Sequence, residues 1–367
     1  MKQDMTTRQA AMWFILFQLG SAFLLLPRVL AGTAEQDAWL SVLFAIGAFF
    51  LILPLYTAIA KQLEETSISD HILELFGRIG GKFLLFGFVV GYPYLIYILV
   101  LRDLSDFLTT SVIPETPAEA ILVLMMAAVI YIVRSGTAVI GRTAEILFFI
   151  VMLLFAFGYA SLIPSAEMSN LMPVLEHGWK PILLAAFSML IFPYAETVLF
   201  LFLMPSIRQA HKWKTAVIKS SLVSGCMFLL MTILTICVLS DGVVSNVMYP
   251  SYFAVRTISI GDFYERFEVL VAVLWYITIF YRLSLFLHVS VHGMAIVLGM
   301  QDPRPLLIPL SLIALVMANI IRDNTAEYTA SLQVWPFYSM FFGIFFPILI
   351  WVVGIFKRAK NSKRKEN

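Results

Sequence analysis

Long apolar runs separated by charged segments restrict the fold of this chain more than any other feature. Ten windows with few charged residues approach the roughly 20 residues that an α-helix needs to cross a bilayer core. Hydrophobic residues make up 60% of the chain and charged residues only 13%, whereas ordinary soluble domains contain about 25% charged residues. The sequence therefore predicts an all-α integral membrane protein with ten transmembrane helices.

The ten predicted spans differ in length: the fourth and ninth are short, and the third and eighth are long. They are placed at Gln9–Ala31, Ala38–Ala60, Phe83–Ser111, Ala118–Val133, Thr143–Ile163, Pro181–Pro205, Lys219–Ser240, Arg266–Met300, Pro305–Ile321 and Pro336–Phe356. The long spans are expected to tilt or to project beyond the bilayer. The first span exceeds the signal-peptide core of about 7–15 residues, so it is expected to remain as a membrane helix.

Lysine and arginine residues are distributed unevenly between the two sides of the predicted membrane. With the N-terminus inside, 18 of the 25 lie on the cytoplasmic side, 5 on the opposite side and 2 within spans. Because cytoplasmic loops carry an excess of Lys and Arg, both termini are predicted to be cytoplasmic. The basic tail, residues 357–367, is expected to lie against the anionic leaflet.

Two spans contain residues that favour an interruption of the helix near its middle. The first span contains Gly20-Ser21, and the sixth contains Pro193, which lacks a backbone N–H donor. The spans that follow each of them correspond in order and in length. Because five is an odd number, the two halves, about 8–165 and about 178–356, are predicted to form a five-plus-five inverted repeat within one transmembrane domain, residues 1–367.

Interrupted helices at corresponding positions of inverted repeats point to a ligand site in transporter folds. Two simpler explanations remain open from the residues alone. Gly20 would also suit close helix packing, and Pro193 would also suit a simple kink.

Several stretches together resemble the endospore germination permease family, whose members are the B subunits of nutrient germinant receptors. These stretches are Leu19–Arg28, Gln36–Ser41, Gly141–Glu145, Pro173–Leu175, Phe192–Glu196 and Glu265–Glu268. The resemblance covers essentially the whole chain and implies the inverted-repeat fold of the amino acid–polyamine–organocation transporter superfamily. In one departure, Ala22 and Phe23 stand where the family often has a second glycine, which narrows the space beside the first interruption.

The resemblance implies a membrane subunit that binds a small germinant, such as an amino acid, and signals to partner subunits to start germination. Its partners would be a larger A subunit and a lipoprotein C subunit in the spore inner membrane. A secondary amino-acid transporter coupled to a proton or sodium ion remains the alternative, since composition and periodicity do not separate the two. The fifth span contains no Lys, Asp or Glu from Ile146 to Ile163 that would couple a proton.

The predicted ligand site lies at the two interruptions, with walls from the third and eighth spans. Half-helix N-termini and released carbonyls at such interruptions would bind a carboxylate and an ammonium group. The aromatic candidates would equally serve core packing, and Glu196 would equally cap the broken backbone. Arg282 has Glu196, Asp103 and Asp106 as candidate partners. The predicted ligand-binding residues are Gly20, Ser21, Ala22, Tyr92, Ile96, Tyr97, Phe192, Pro193, Tyr194, Glu196, Tyr276, Ile277, Tyr281 and Arg282.

Three further expectations concern charges, metals and catalysis. Arg142 and Glu145 are three residues apart and are predicted to form a structural ion pair on one helical face. His288 and His292 have a spacing that suits a metal, but no third ligand is near, so neither a metal site nor a cofactor is expected. The sequence contains no nucleophile–base arrangement, phosphate loop or nucleic-acid surface, so neither an enzyme nor nucleic-acid binding is expected.

Overall fold

The computed structural model describes residues 4–63, 66–257, 268–321 and 334–366, with side chains up to residue 358. These ranges are almost entirely helical and contain no strand, only an isolated bridge between Met5 and Ile207. Within them, eight helical stretches are long and apolar enough to cross a membrane. The prediction of an all-helical chain with several membrane-spanning segments is confirmed.

The helical elements follow the order of the predicted spans. They are α1 (Thr7–Ala34), α2 (Ala38–Leu63), α3 (Ile68–Val112), α4 (Ala118–Ser135), α5 (Thr137–Ala160), α6 (Trp179–Ser206), α7 (Trp213–Leu239), α8 (Glu268–Leu298), α9 (Leu307–Ile320) and α10 (Val334–Arg358). The first membrane-spanning stretch combines α1 and α2, and α9 is shorter than the other apolar helices. Two short helices, Asp241–Asn246 and Pro250–Arg256, lie between α7 and α8.

Local sequence sets several of the helix ends. The Thr6 side chain accepts a hydrogen bond from the Gln9 N–H, and the Gln9 side chain accepts one from the Thr6 N–H, which forms a capping box at α1. Gly136 alone separates α4 from α5, with a φ of +92° that glycine adopts without Cβ strain. The third predicted span begins at Phe83, whereas α3 begins earlier, with Ser67 as the cap of its first turn. Gly77, with a φ of +77°, interrupts the helical geometry before the predicted span.

Helix α1 lies at the centre of the bundle, in contact with α5, α6, α7 and α8. Every residue from Trp13 to Pro27 is buried, as expected for a helix that is apolar on all sides. The backbone inside this buried stretch leaves helical geometry at Gly20, where φ is −1° and ψ is −120°. The position of α1 therefore places its irregular residue among the surrounding helices.

Helix α6 consists of two parts of different geometry. Trp179–Ile191 is α-helical and Tyr194–Ser206 is a 3₁₀-helix. Phe192, between them, is extended, with a φ of −130° and a ψ of 112°. The change of geometry thus falls at the Phe192-Pro193 pair, where proline removes a backbone donor.

Candidate functional site

A buried ion pair joins α6 and α8. Arg282 Nη2 donates to Glu196 Oε1 at 2.8 Å, and Oε2 of the same carboxylate is also 2.8 Å away. The two side chains are 1% and 0% exposed, respectively. Ionisable residues inside a membrane are costly unless they are paired, and they mark functional sites by default. Of the three partners that the sequence left open for Arg282, the structure pairs it with Glu196.

Arg282 also contacts the irregular part of α1. Its Nη1 donates to the Phe17 carbonyl oxygen at 3.3 Å. A Cβ built on Gly20 would overlap Cδ of Arg282 and lie 3.1 Å from its Cβ. Residue 20 therefore needs to be glycine for the arginine side chain to pass beside α1. The candidate residues Gly20, Glu196 and Arg282 are brought together.

Three phenylalanine rings surround the guanidinium group. Its central carbon lies 4.9 Å from the ring centroid of Phe17, 5.1 Å from that of Phe192 and 5.0 Å from that of Phe286. Aromatic faces at these distances attract a cation and exclude water from it. The three rings thus stabilise the positive charge of Arg282, which is already shielded from solvent.

Arg282 Nε has no hydrogen-bond partner among the described residues. Glu196 Oε2 makes no well-directed hydrogen bond there, although it lies 2.8 Å from Arg282 Nη2 in the ion pair. On α1, Ser21 Oγ is also buried without a partner, as is Nε2 of Gln18, whose Oε1 accepts from Ser224 Oγ at 2.7 Å. Buried polar groups normally have partners. Unused donors therefore lie in the segments that the sequence analysis singled out.

The carbonyl groups after the α6 interruption are partly engaged within the protein. The Tyr194 carbonyl accepts from Thr197 Oγ1 at 2.6 Å. The Ala195 carbonyl lies 3.2 Å from the Tyr56 hydroxyl, which is 2.8 Å from the Gly343 carbonyl. One of the two lone pairs of the Tyr194 carbonyl oxygen is therefore already engaged, and its binding of an ammonium group remains a prediction.

The side chain of Tyr194 belongs to the packing between α6 and its neighbours. Its ring stacks on Phe49, with centroids 4.8 Å apart, and its hydroxyl lies 3.4 Å from the Ser221 carbonyl oxygen. Ala22 of α1 is fully buried. Neither feature by itself distinguishes ligand binding from packing, and a binding role for both residues remains a prediction.

The predicted wall residues separate into three groups. Tyr92 bonds to Ser339 Oγ at 2.8 Å and stacks on Phe342 with centroids 5.2 Å apart, so it fastens α3 to α10. Tyr276 is 37% exposed and Ile277 is half-buried, so Tyr276 faces away from an enclosed site. The remaining wall residues are buried, which suits packing as well as binding: Ile96, Tyr97 and Tyr281.

The predicted ion pair on α5 is replaced by a contact between helices. Glu145 lies 3.2 Å from Arg8 Nη2 and accepts from Gln9 Nε2 at 3.1 Å. Arg142 is exposed. The N-terminal turn of α1 packs against α5 at this end, so an arginine from another helix reaches the carboxylate.

Sequence reasoning missed several residues that the structure places at this centre. Phe17 lies three residues before Gly20, and Phe286 lies four residues after Arg282. Helical spacing puts each of them on the same face as the residue it accompanies, but among 31 phenylalanines this spacing alone does not single them out. Gln18 and Tyr56 had no comparable signal, because their partners lie on distant segments.

Comparison with known proteins assigns the chain to a family. Residues 4–327 match the profile of the spore germination protein family. The chain belongs to this family. It is 29% identical to spore germination protein KB of Bacillus subtilis (strain 168), over 99% of this chain and 98% of that protein. It is 24% identical to spore germination protein XB of Bacillus anthracis, over 93% of this chain and 94% of that protein.

Solved structures of transporters share the fold of this spore germination protein. MhsT in complex with L-phenylalanine matches with a TM-score of 0.59 and 15% identity, covering 95% of this chain and 87% of MhsT. A manganese transporter of Eremococcus coleocola matches with a TM-score of 0.54 and 13% identity, covering 92% of this chain and 78% of the transporter. These likenesses concern the fold alone. The family match agrees with the expectation that the protein is not an enzyme.

The ion pair of this spore germination protein places a positive and a negative group side by side. A guanidinium and a carboxylate face each other between two segments of irregular backbone, and charge-assisted hydrogen bonds are the strong ones in proteins. Because both side chains are almost fully buried, a ligand would reach them only when neighbouring helices separate. Such a site suits a small zwitterion that is admitted by a conformational change.

Proposed function

We propose that this spore germination protein is the membrane subunit of a nutrient germinant receptor, and that it binds an amino acid or similar nutrient at Arg282 and Glu196. The observation that carries the proposal is the buried ion pair of Arg282 and Glu196, which lies beside the irregular segments of α1 and α6. A ligand carboxylate would engage Arg282 while its ammonium engages Glu196. Each charge would keep a partner, which avoids the large cost of an unpaired buried charge.

Binding would signal by favouring one conformation over another, because a ligand shifts an equilibrium only by its differential affinity. The proposed change is a closure of α1 and α6 around the nutrient. A larger A subunit and a lipoprotein C subunit would sense it in the spore inner membrane. The family membership and the transporter-like fold support this assignment.

The proposal includes a five-plus-five inverted repeat with interrupted first and sixth helices and with both termini in the cytoplasm. The charge distribution supports the orientation, since most lysine and arginine residues would then lie inside. The irregular backbone at Gly20 and at Phe192 supports the two interruptions.

The proposal is tested with spores that carry the unmodified chain, Gly20→Leu or Tyr194→Ala, with Gly47→Ala as the control. A Cβ on Gly47 meets no atom within 4 Å, so this control introduces a methyl group without a clash. Germination is scored against a panel of single amino acids and sugars, and uptake of any labelled active nutrient is measured. Loss of the response in both site variants, at normal protein level and without uptake, is the expected result.

A secondary amino-acid transporter coupled to a proton or sodium ion is the second candidate. The similarity of the fold to MhsT, solved with L-phenylalanine, favours it. Against it, Arg282 already neutralises Glu196, so this carboxylate would bind a coupling cation only after the pair opens. Robust uptake by the unmodified protein, with germination indifferent to both site changes, would establish the transporter instead.

A further inference from the structure

A separate cavity of about 400 Å³ lies at the end of the bundle that holds the N-terminal segment. Ser206, at the end of α6, lines it, and its carbonyl oxygen accepts from the Met5 N–H at 2.9 Å. Neither Arg282 nor Glu196 lines the cavity. It is therefore a different place from the proposed nutrient site.

Positive charge predominates among the side chains that line this cavity. Arg134, from the last turn of α4, and Arg304, just before α9, supply two guanidinium groups. Among the described residues, Asp302 supplies the one lining carboxylate, and its Oδ1 accepts from the Arg304 N–H at 3.0 Å. These three side chains are exposed, and two positive charges against one negative charge favour an anionic occupant.

Three helices begin at the cavity wall. Ser67 and Ser69 stand at the start of α3, Gly136 and Thr137 at the start of α5, and Leu307 at the start of α9. The first N–H groups of a helix have no partner within it, and the helix dipole adds about half a positive charge there. At α3 one of these donors, the Asp70 N–H, already donates to Ser67 Oγ at 3.0 Å. At α5 the cap is Gly136, whose lack of a side chain leaves these donors without a side-chain cap.

A buried histidine adds an independent sign of a missing partner. His288 lines the cavity, is 6% exposed, and has an Nδ1 without a hydrogen-bond partner. The neighbouring His292 is satisfied differently: its Nδ1 lies 2.8 Å from the His288 carbonyl oxygen, so it must donate. The two rings are 3.9 Å apart. The imidazole ring of His288 thus lines the cavity, while its Nδ1 is shielded from solvent and has no partner among the described residues.

We propose that this cavity binds an anion that bears a phosphate group, from the side of the membrane where the N-terminus lies. A phosphate group offers three strong acceptor oxygens, which matches donors that converge from several helices rather than from one. Helix N-termini and arginine forks are the common phosphate-binding devices of proteins. The volume is that of a small-molecule site.

A metal cation does not fit the same cavity. Throughout the described residues, no group of three or more His, Cys, Asp or Glu side chains is arranged to hold a metal ion. Two guanidinium groups would also repel a cation. The bound anion would connect α3, α5, α8, α9 and the end of α6, and would thereby favour the conformation in which this end of the bundle is closed.

The test uses the purified full-length protein with inorganic phosphate and glycerol 3-phosphate as soluble probes. Lipid probes are nanodiscs of phosphatidylcholine with and without phosphatidic acid, with bound lipid counted by native mass spectrometry. Arg134→Gln and Arg304→Gln are each expected to weaken binding about tenfold, because each removes one charge-assisted contact. Arg208→Gln is the matched control, since Arg208 is an exposed arginine near the same end that does not line the cavity.

Asp302→Asn decides the sign of the ligand charge. Asparagine can still accept from the Arg304 N–H, so the local turn is retained while the repulsion of an anion is removed. Tighter binding than in the unmodified protein is expected. Weaker binding in this variant, equal affinities in all the variants, or no binding of any probe would overturn the proposal.

The two classes of probe separate the two sources of the phosphate group. Binding of the soluble probes would indicate a small phosphate ester, and selective retention of phosphatidic acid would indicate a lipid headgroup. Neither Arg282 nor Glu196 lines the cavity, so phosphate binding and amino-acid binding are measured as two separate readouts on the same unmodified protein. Failure of this proposal and failure of the receptor proposal are therefore distinguishable.

Discussion

Gly20 of α1 and Arg282 of α8 are in contact so close that a Cβ at residue 20 would overlap the arginine side chain. Arg282 in turn holds Glu196 of α6 at 2.8 Å. Because Gly20 of α1 has no side chain, Arg282 of α8 can lie beside it and reach the carboxylate of Glu196 on α6. Gly20 therefore contributes to the proposed site in two ways: it allows the irregular backbone of α1, and it leaves room for the Arg282 side chain.

Gly20→Ala is expected to displace Arg282 and to abolish the germinant response. Overpacking of a tight core usually costs about 1–3 kcal/mol, and thermal unfolding in detergent measures this cost. The control Gly47→Ala adds the same methyl group at an exposed position of α2 where a Cβ meets no atom within 4 Å. It is expected to be neutral or to stabilise by up to about 1 kcal/mol. Equal behaviour of the two variants would refute the close contact.

Glu196→Gln and Arg282→Gln are each expected to destabilise the protein by about 3–5 kcal/mol, because each leaves a buried charge without its partner. The double variant is expected to lose much less than the sum of the two. A double-mutant cycle on thermal or denaturant unfolding measures the difference. Strictly additive losses would mean that the two side chains do not interact.

Tyr56→Phe is expected to destabilise the start of the 3₁₀ half of α6. The Tyr56 hydroxyl lies within hydrogen-bond distance of the Ala195 and Gly343 carbonyl oxygens. Its loss leaves buried acceptors unsatisfied, which costs about 1–3 kcal/mol. The same change at Tyr131, which is 74% exposed, should have no measurable effect. Unfolding temperatures of both variants give the comparison, and equal values would remove the proposed role of the hydroxyl.

Glu145→Gln is expected to lower stability by at most about 1 kcal/mol, because its partner Arg8 is 65% exposed and surface ion pairs are screened. Arg8→Gln should have a similarly small effect, and this effect should shrink at high salt. Arg142→Gln is the control and should change nothing. A larger loss of stability for Arg142→Gln than for Arg8→Gln would instead support the ion pair between Arg142 and Glu145 that helical spacing predicts.

The sequence located the helices and the irregular segments because these features depend on local chemistry. Apolar runs mark the spans, Gly20 allows an unusual backbone, and Pro193 removes a donor. The partner of Arg282 was not predictable, since Glu196 is 86 residues away in sequence and the contact depends on how α6 packs against α8. Helical spacing favoured Arg142 for Glu145, but the docked N-terminal turn of α1 supplied Arg8 instead.

The aromatic part of the site was hidden for a different reason. Phenylalanine occurs 31 times in the chain, so no composition signal separates the rings around Arg282 from those that face other helices. Tyr276 illustrates the reverse error, because an aromatic residue near Arg282 in sequence was expected to line the site and instead lies at the surface. Side-chain direction on a long helix follows from packing, which the sequence of one helix does not contain.

Equilibrium binding of a labelled amino acid tests the central claim most directly. The amino acid that triggers germination would be titrated into the purified unmodified protein and into Glu196→Gln, with its N-acetyl derivative and its methyl ester as competitors. The account predicts saturable binding to the unmodified protein, at least about tenfold weaker binding of each blocked derivative, and no measurable binding to Glu196→Gln. Full affinity for either derivative, or unchanged binding by Glu196→Gln, would contradict a nutrient site at the ion pair.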